Sequence, residues 1–351
     1  MELGSVIFFL SIIFNYFLIK NYKNFFLKKI ADTQYSKPQA FHKFPAIRSG
    51  GLTIIIFLLL FSIFYEDKNN YFLSIISLSS SFFFIGFLED IKINLNPLIR
   101  LFFLLFFSFL IIYYFDINVI NTQIEFLNKI INYNKFCSII FVCLCLLFIT
   151  NGSNFIDGFN GLLILHALII LGALYFIDIF NSNNLFLQNL ILFFISILFS
   201  ILFFNFPNSR IFLGDSGAYI IGVILSLITI QVSNLNSHIN PFFFAVLLFY
   251  IFFEVIFSFF RKILIDKVSP LKPDNKHLHM LFFNFINYKI KNRLIANSLT
   301  GLIINIIYLI IILPVFFFYK NPLFCKTYFF FLLISYLLFY FFLEKKNYKN
   351  K

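Results

Sequence analysis

The chain of 351 residues alternates long apolar runs with short polar breaks. Eleven runs approach the about 20 apolar residues a membrane-spanning helix needs, some by borrowing from their flanks. They cover residues 3–20, 50–65, 71–88, 98–115, 136–150, 161–178, 185–205, 217–234, 241–260, 297–319 and 327–343. Unpaired backbone is too costly in lipid to lie within these runs, so connections fall between them. The pattern predicts an all-α polytopic transmembrane bundle, a single integral-membrane domain over residues 1–351. No pair of runs suggests an inverted repeat.

Composition supports this. Apolar residues make up 61% of the chain and charged residues 12%, against about 45–50% and about 25% in soluble domains. One soluble core cannot hide so much apolar surface. The 60 Phe carry no functional argument. The net charge of +12 would suggest nucleic acid in a soluble protein, but here topology explains it. The odd-numbered connections (21–49, 89–97, 151–160, 206–216, 261–296) and the C-terminal tail, together with Lys20 and Arg100 at the adjoining ends of their runs, hold 22 of the 27 Lys and Arg. Basic residues collect on the cytoplasmic side. This places the odd connections and the C-terminus in the cytoplasm and the N-terminus on the periplasmic side. The first run lacks a basic leader and a small-residue cleavage site, so it reads as a retained span. Cys137, Cys143, Cys145 and Cys325 form no CxxC pair and read as packing residues.

Five polar stretches remain: 42-HKFPAIRSGG-51, 86-GFLEDIK-92, 151-NGSNFIDGFNG-161, 210-RIFLGDSG-217 and 274-DNKHLHM-280. Each lies in or beside an odd connection, so all five face one side. Glu89, Asp90, Asp157 and Asp215 sit at the ends of apolar runs, where acids are costly and tend to be functional. Such a cluster is what a site for Mg²⁺ and a diphosphate requires, because hard cations take carboxylate oxygens with substrate phosphates. Gly214 and Gly217 around Asp215 permit a tight turn into a helix whose N-terminal amides favour an anion. Asn151 and Asn154 offer amides to a base or sugar, or cap a helix. Lys43 and Arg48 either hold a phosphate or anchor to lipid headgroups. His277 and His279 are two apart, not the four of a helical zinc pair; they read as phosphate contacts or a solvated pair. His166 and His238 read as structural.

Taken together, the stretches resemble the polyprenyl-phosphate N-acetylhexosamine-1-phosphate transferase superfamily, which includes phospho-N-acetylmuramoyl-pentapeptide transferase and the transferases that begin surface glycans. The resemblance runs from about residue 32 to about residue 280, with the motifs in the family's order. It implies transfer of a sugar-1-phosphate from a UDP-N-acetylhexosamine to undecaprenyl phosphate, with release of UMP, at the cytoplasmic face of a bacterial inner membrane. Mg²⁺, or Mn²⁺ in its place, is the implied cofactor, with Asp215 as its ligand. Glu89 and Asp90 fall on the family's paired aspartates near the lipid phosphate, and with Asp215 are the implied catalytic set. Asn154 and Asp157 fall in the loop that binds nucleotide and sugar, and Phe212 where an aromatic stacks on uracil. His277 and His279 fall on the histidine loop, and His42 and Arg48, with Gly50 and Gly51, on the first cytoplasmic motif. Glu89 departs from the first aspartate and lengthens the arm. Met280 replaces a histidine and Asn160 an acid of the peptidoglycan branch, which favours a surface-glycan initiator over the pentapeptide enzyme. No nucleic-acid partner is implied, and a homodimer is compatible but unspecified.

A transporter or lipid flippase is the alternative from another class. It would need polar residues lining a path near mid-span, and Glu254 is the main one.

Overall fold

A computed structural model describes residues 2–32, 45–65, 69–272 and 274–349. His42 and Lys43 lie outside the described residues. The helices are α1 (Glu2–Lys20), α2 (Phe25–Ile30), α3 (Gly50–Phe64), α4 (Asn70–Asp90), α5 (Pro97–Phe115), α6 (Glu125–Ile131) and α7 (Lys135–Ile156). They continue as α8 (Leu162–Phe180), α9 (Leu185–Asn205), α10 (Gly214–Leu235), α11 (Pro241–Phe260), α12 (Leu278–Ile290), α13 (Arg293–Phe317) and α14 (Pro322–Lys349), with a π-helical turn, Arg261–Ile265, closing α11.

Each of the eleven expected runs falls on a helix. Among the described residues nine helices are long and apolar enough to cross a membrane; α1 and α3 are apolar but shorter. Many helices start on an asparagine whose side chain accepts an amide that the first turn leaves unpaired. Asn69 accepts from Phe72, Asn134 from Cys137 and Asn184 from Leu187, while Asn96 and Asn240 each precede a proline at the first helical position. Outward faces stay apolar, as at Phe9, Ile13, Phe102, Phe106, Phe331 and Leu338. Exposed apolar surface on this scale belongs in lipid, and the chain is a multi-pass membrane protein.

Helix α10 runs through the centre, buried along most of its length against α3, α4, α7 and α8. Glycines let the backbones meet at the end where it begins. A Cβ on Gly86 would stand 2.5 Å from Ser216 Cα, and one on Gly51 would stand 2.5 Å from Gly217 N. That close approach joins α3, α4 and α10 at one point.

Two features depart from the sequence reading. The fold is not wholly helical: β1 (Ala31–Asp32), β2 (Ala46–Arg48) and β3 (Ile211–Phe212) form a small sheet, with β2 antiparallel to β1 and parallel to β3. Strands this short leave no periodic trace in a sequence. The sheet makes Arg48 and Phe212 register partners. The second departure is that the fifth run, expected to end at residue 150, is longer as a helix. Helix α7 continues through Ile156, so Asn151 and Asn154 share a face one turn apart; Glu89 and Asp90 end α4, and Asp215 opens α10.

Candidate active site

A cavity of about 560 Å³ opens at the end of the bundle where the small sheet lies. Arg48, Asn151, Asn154, Asp157, Phe212, Asp215, His277 and His279 all line it. Polar breaks separated by up to 231 positions (Arg48 to His279) therefore meet in one place.

Asp215 lies in the first turn of α10, set there by Gly214, whose φ of 74° favours a residue without a Cβ. A Cβ at Gly214 would also strike Asp90, 2.5 Å from its Oδ1. Asp90 is fully buried and does not line the cavity. Its Oδ1 accepts the Asp215 amide at 2.9 Å, and its Oδ2 accepts the Ser216 amide at 3.1 Å and the Ser216 hydroxyl at 2.5 Å. Its carboxylate thus acts on the start of α10 as a capping acid contributed by another helix. Glu89 does not line the cavity either. Its Oε1 accepts the Leu95 amide at 3.0 Å and lies 3.9 Å from Arg100 Nη1. Of the three acids expected to be catalytic, only Asp215 faces the cavity.

Asp157 follows the last turn of α7 and lines the same cavity. Desolvation, and then the charges of Asp215 and Asp90, hold its carboxyl well above the usual carboxylate range, against the opposing pull of Arg48. A divalent cation beside Asp157 and Asp215 would relieve that repulsion, and their hard oxygens suit Mg²⁺. Among the described residues no group of three or more His, Cys, Asp or Glu is placed to hold a metal ion by itself. A Mg²⁺ held by one or two carboxylates together with substrate phosphates needs none, so the residues present fit the ion.

Sequence reasoning missed Arg100. It lies inside the fourth apolar run, yet in the helix it is in the first turn of α5, lines the cavity and stands 3.8 Å from Asp215 Oδ2. The signal was there, since an arginine one turn inside an apolar run is costly unless it works or is paired. Asp32, 3.6 Å from Arg48, was also missed, as were Lys262 and Lys272 of the last connection; Asp274, which opens the stretch 274–280, lines the cavity too. The cavity therefore sets guanidinium groups of Arg48 and Arg100 among the carboxylates of Asp32, Asp157 and Asp215.

The rings of His277 and His279 lie parallel, 5.5 Å apart, with Phe155 against the first and Phe159 against the second. His277 Nδ1 is 2.9 Å from Glu254 Oε1, and its Nε2 is 3.5 Å from Asp274 Oδ1. His279 Nδ1 is 3.3 Å from the Tyr250 hydroxyl. Burial pulls His279 down to about 3, so its ring is neutral at physiological pH. Asn160 plays a structural part: its amide nitrogen donates to Asn297 Oδ1 at 2.7 Å and its side chain donates to Pro207 O at 2.8 Å. His166 is likewise internal, 3.2 Å from Asn305 Oδ1 and packed on Tyr308.

The fold and cavity define a multi-pass membrane protein with a charged, concave site at one end of its bundle. Residues 72–233 match the model of glycosyl transferase family 4, which bears out the resemblance carried by the motifs. The chain is 30% identical over 135 residues, 38% of each chain, to an undecaprenyl-phosphate alpha-N-acetylglucosaminyl 1-phosphate transferase of Thermotoga maritima. It is 34% identical over 151 residues, 42% of this chain and 45% of the other, to a putative UDP-N-acetylglucosamine–dolichyl-phosphate N-acetylglucosaminephosphotransferase of Saccharolobus solfataricus. A longer match, 28% over 249 residues, 63% of this chain and 70% of the other, is to a phospho-N-acetylmuramoyl-pentapeptide-transferase of Borrelia turicatae. The chain thus spans less than half the length of the first two relatives it matches.

Proposed function

We propose that this protein transfers an N-acetylhexosamine-1-phosphate from a UDP-sugar to a polyprenyl phosphate. The observation that carries the reading is the facing of Arg48 and Arg100 with Asp157 and Asp215 in one cavity at the ends of membrane helices. Guanidinium groups match phosphate oxygens, and carboxylates admit a divalent cation that a diphosphate brings with it. A membrane-embedded site suits an acceptor whose tail stays in lipid while its phosphate meets a soluble donor. The basic bias of the odd connections argues that this end faces the cytoplasm, in a bacterial inner membrane.

An oxygen of the lipid phosphate attacks the β-phosphorus of the donor. The new P–O bond forms as the bond to UMP breaks, and UMP leaves. Phosphoryl transfer asks mainly for positioning and charge stabilisation. Arg100 and Arg48 hold the phosphates, Asn151 and Asn154 meet the uridine or sugar, Phe212 stacks on the uracil, and His277 and His279 contact phosphate or sugar. Asp215, with Asp157 beside it, would hold Mg²⁺, which neutralises charge on the diphosphate. Asp90 acts through Asp215 by fixing the start of α10, and Glu89 by holding the turn before α5 and its Arg100. The product would begin a surface glycan such as O-antigen or capsule.

The longer match to the pentapeptide transferase supports a second donor, UDP-N-acetylmuramoyl-pentapeptide. The test is UMP release by purified protein in detergent with undecaprenyl phosphate, Mg²⁺ and a donor panel that includes both sugars. UMP that requires lipid and Mg²⁺ with one donor supports the reaction and selects the sugar. Folded protein that releases none with any donor sinks it. Glu254 speaks against a transport path, because its side chain is taken up by protein hydrogen bonds.

A further inference from the structure

Glu254 lies in the membrane-spanning part of α11 and is 1% exposed. An acid at such a place is costly unless every lone pair is used. Here they are used on one task. Oε1 lies 2.9 Å from His277 Nδ1 and accepts the Leu278 amide at 3.1 Å, and Oε2 accepts the Tyr336 hydroxyl at 2.6 Å. With the Leu278 N–H already donating to Oε1, the proton of the His277 contact belongs to Nδ1. The other edge of the ring, with Nε2, is turned to the cavity that His277 lines, where Asp274 Oδ1 stands 3.5 Å from it.

The support behind Glu254 is also built. Tyr336 reaches it from α14, the Tyr340 hydroxyl donates to Lys276 O at 2.9 Å, and Asn347 donates to Leu281 O at 3.0 Å. The last helix is thus tied to the 276–281 segment on either side of the two histidines. Phe155 packs on the His277 ring and His279 stacks parallel to it.

We infer that Glu254 is a positioning residue for the transfer reaction, fixing the ring and the Nδ1–H tautomer of His277 from inside the bundle, with Tyr336 of α14 fixing Glu254 in turn. The inference rests on the reaction proposed above. It gives the final helix a part in the site although none of its residues lines the cavity. The acid that a transport reading would have placed on a conduction path becomes a strut.

The experiment joins imidazole ¹⁵N spectroscopy to turnover. The protein has five histidines, and His277→Asn identifies the His277 signals. In the wild type His277 is expected to carry a proton on Nδ1. Glu254→Leu removes the acceptor at similar volume; it is expected to lower kcat on the order of 10- to 100-fold, as for carboxylates that orient metal-bound imidazoles, and to release the tautomer. Glu254→Gln keeps an acceptor at Oε1 and is expected to keep the tautomer and recover much of the activity. Tyr336→Phe is expected to lose less than Glu254→Leu, in the same direction. A wild-type His277 protonated on Nε2 alone overturns the inference, and so does undiminished turnover in Glu254→Leu or a Gln variant no better than Leu. If wild-type protein releases no UMP, the reaction falls, and the ¹⁵N spectrum still decides whether Glu254 holds the Nδ1 proton. If Glu254→Leu does not fold, the wild-type spectrum and the Gln and Tyr336→Phe variants decide.

Discussion

Asp90 accepts the backbone amide of Asp215 at 2.9 Å, from a helix 125 positions earlier in the chain. Its second oxygen takes both the amide and the hydroxyl of Ser216. One acid is buried and spends its lone pairs on the first residues of α10; the other faces the cavity. Two residues that look equivalent as motif acids are therefore unequal in what they can do.

The inequality can be measured. Asn at position 90 offers one carbonyl where three donors converge and turns its own N–H groups toward them. Asp90→Asn should lower stability by about 1–3 kcal/mol, the cost of leaving a buried donor unpaired, and should lower turnover as well. Asp215→Asn should abolish turnover while leaving the melting temperature in detergent nearly unchanged. Equal melting temperatures for the two variants would contradict this division of roles.

Gly214 should tolerate nothing larger. Its positive φ makes a Cβ cost roughly 1–2 kcal/mol, and the added atom would meet Asp90. Gly214→Ala is expected to lower both melting temperature and activity. Because the atoms an added Cβ would strike belong to the Asp90 carboxylate, the Gly214→Ala/Asp90→Ala pair should be less destabilised than the two single losses added together. Strict additivity in denaturation or thermal scans would place the conflict elsewhere.

Arg100 offers a test of the phosphate-binding wall. Arg100→Ala is expected to lower kcat/KM on the order of 10- to 100-fold, the loss of a charge-assisted contact to phosphate in a recessed site. Lysine keeps the charge but not the planar fork, so Arg100→Lys should fall between. Steady-state UMP release decides, and an alanine variant with wild-type kcat/KM would remove Arg100 from the substrate site.

His279 gives the protein a pH dependence of known sign. Its folded-state value of about 3 is depressed by burial, while the unfolded chain titrates near 6.5. Between those values the unfolded state binds the extra proton, so the stability the neutral ring contributes is present above about 6.5 and drains as pH falls toward 3. The loss from about pH 7 to about pH 5 is on the order of 2 kcal/mol. Thermal scans of wild type and His279→Phe at both pH values should show a smaller acid-induced drop in the variant; an equal drop would mean that His279 is not held neutral.

The sequence by itself determined the membrane-spanning helices, because a 20-residue apolar run has one low-energy state in lipid and its polar breaks mark the ends. It also brought forward most of the cavity's residues, because acids, glycines and histidines at the ends of apolar runs are costly without a purpose. What only the tertiary structure decided is which of them face substrate. Asp90 and Asp215 carry the same functional group at the ends of apolar runs, and nothing local says that one turns inward to cap the other's helix. Arg100 was hidden inside an apolar run, and Glu254 looked like a mid-span oddity until α14 brought Tyr336 to one side of it and the last connection brought His277 to the other. The sheet that sets Arg48 beside Phe212 joins segments more than 160 residues apart through strands of two or three residues. Such pairings are fixed by which backbones can approach and which hydrogen bonds remain to be made, and those are properties of the packed bundle.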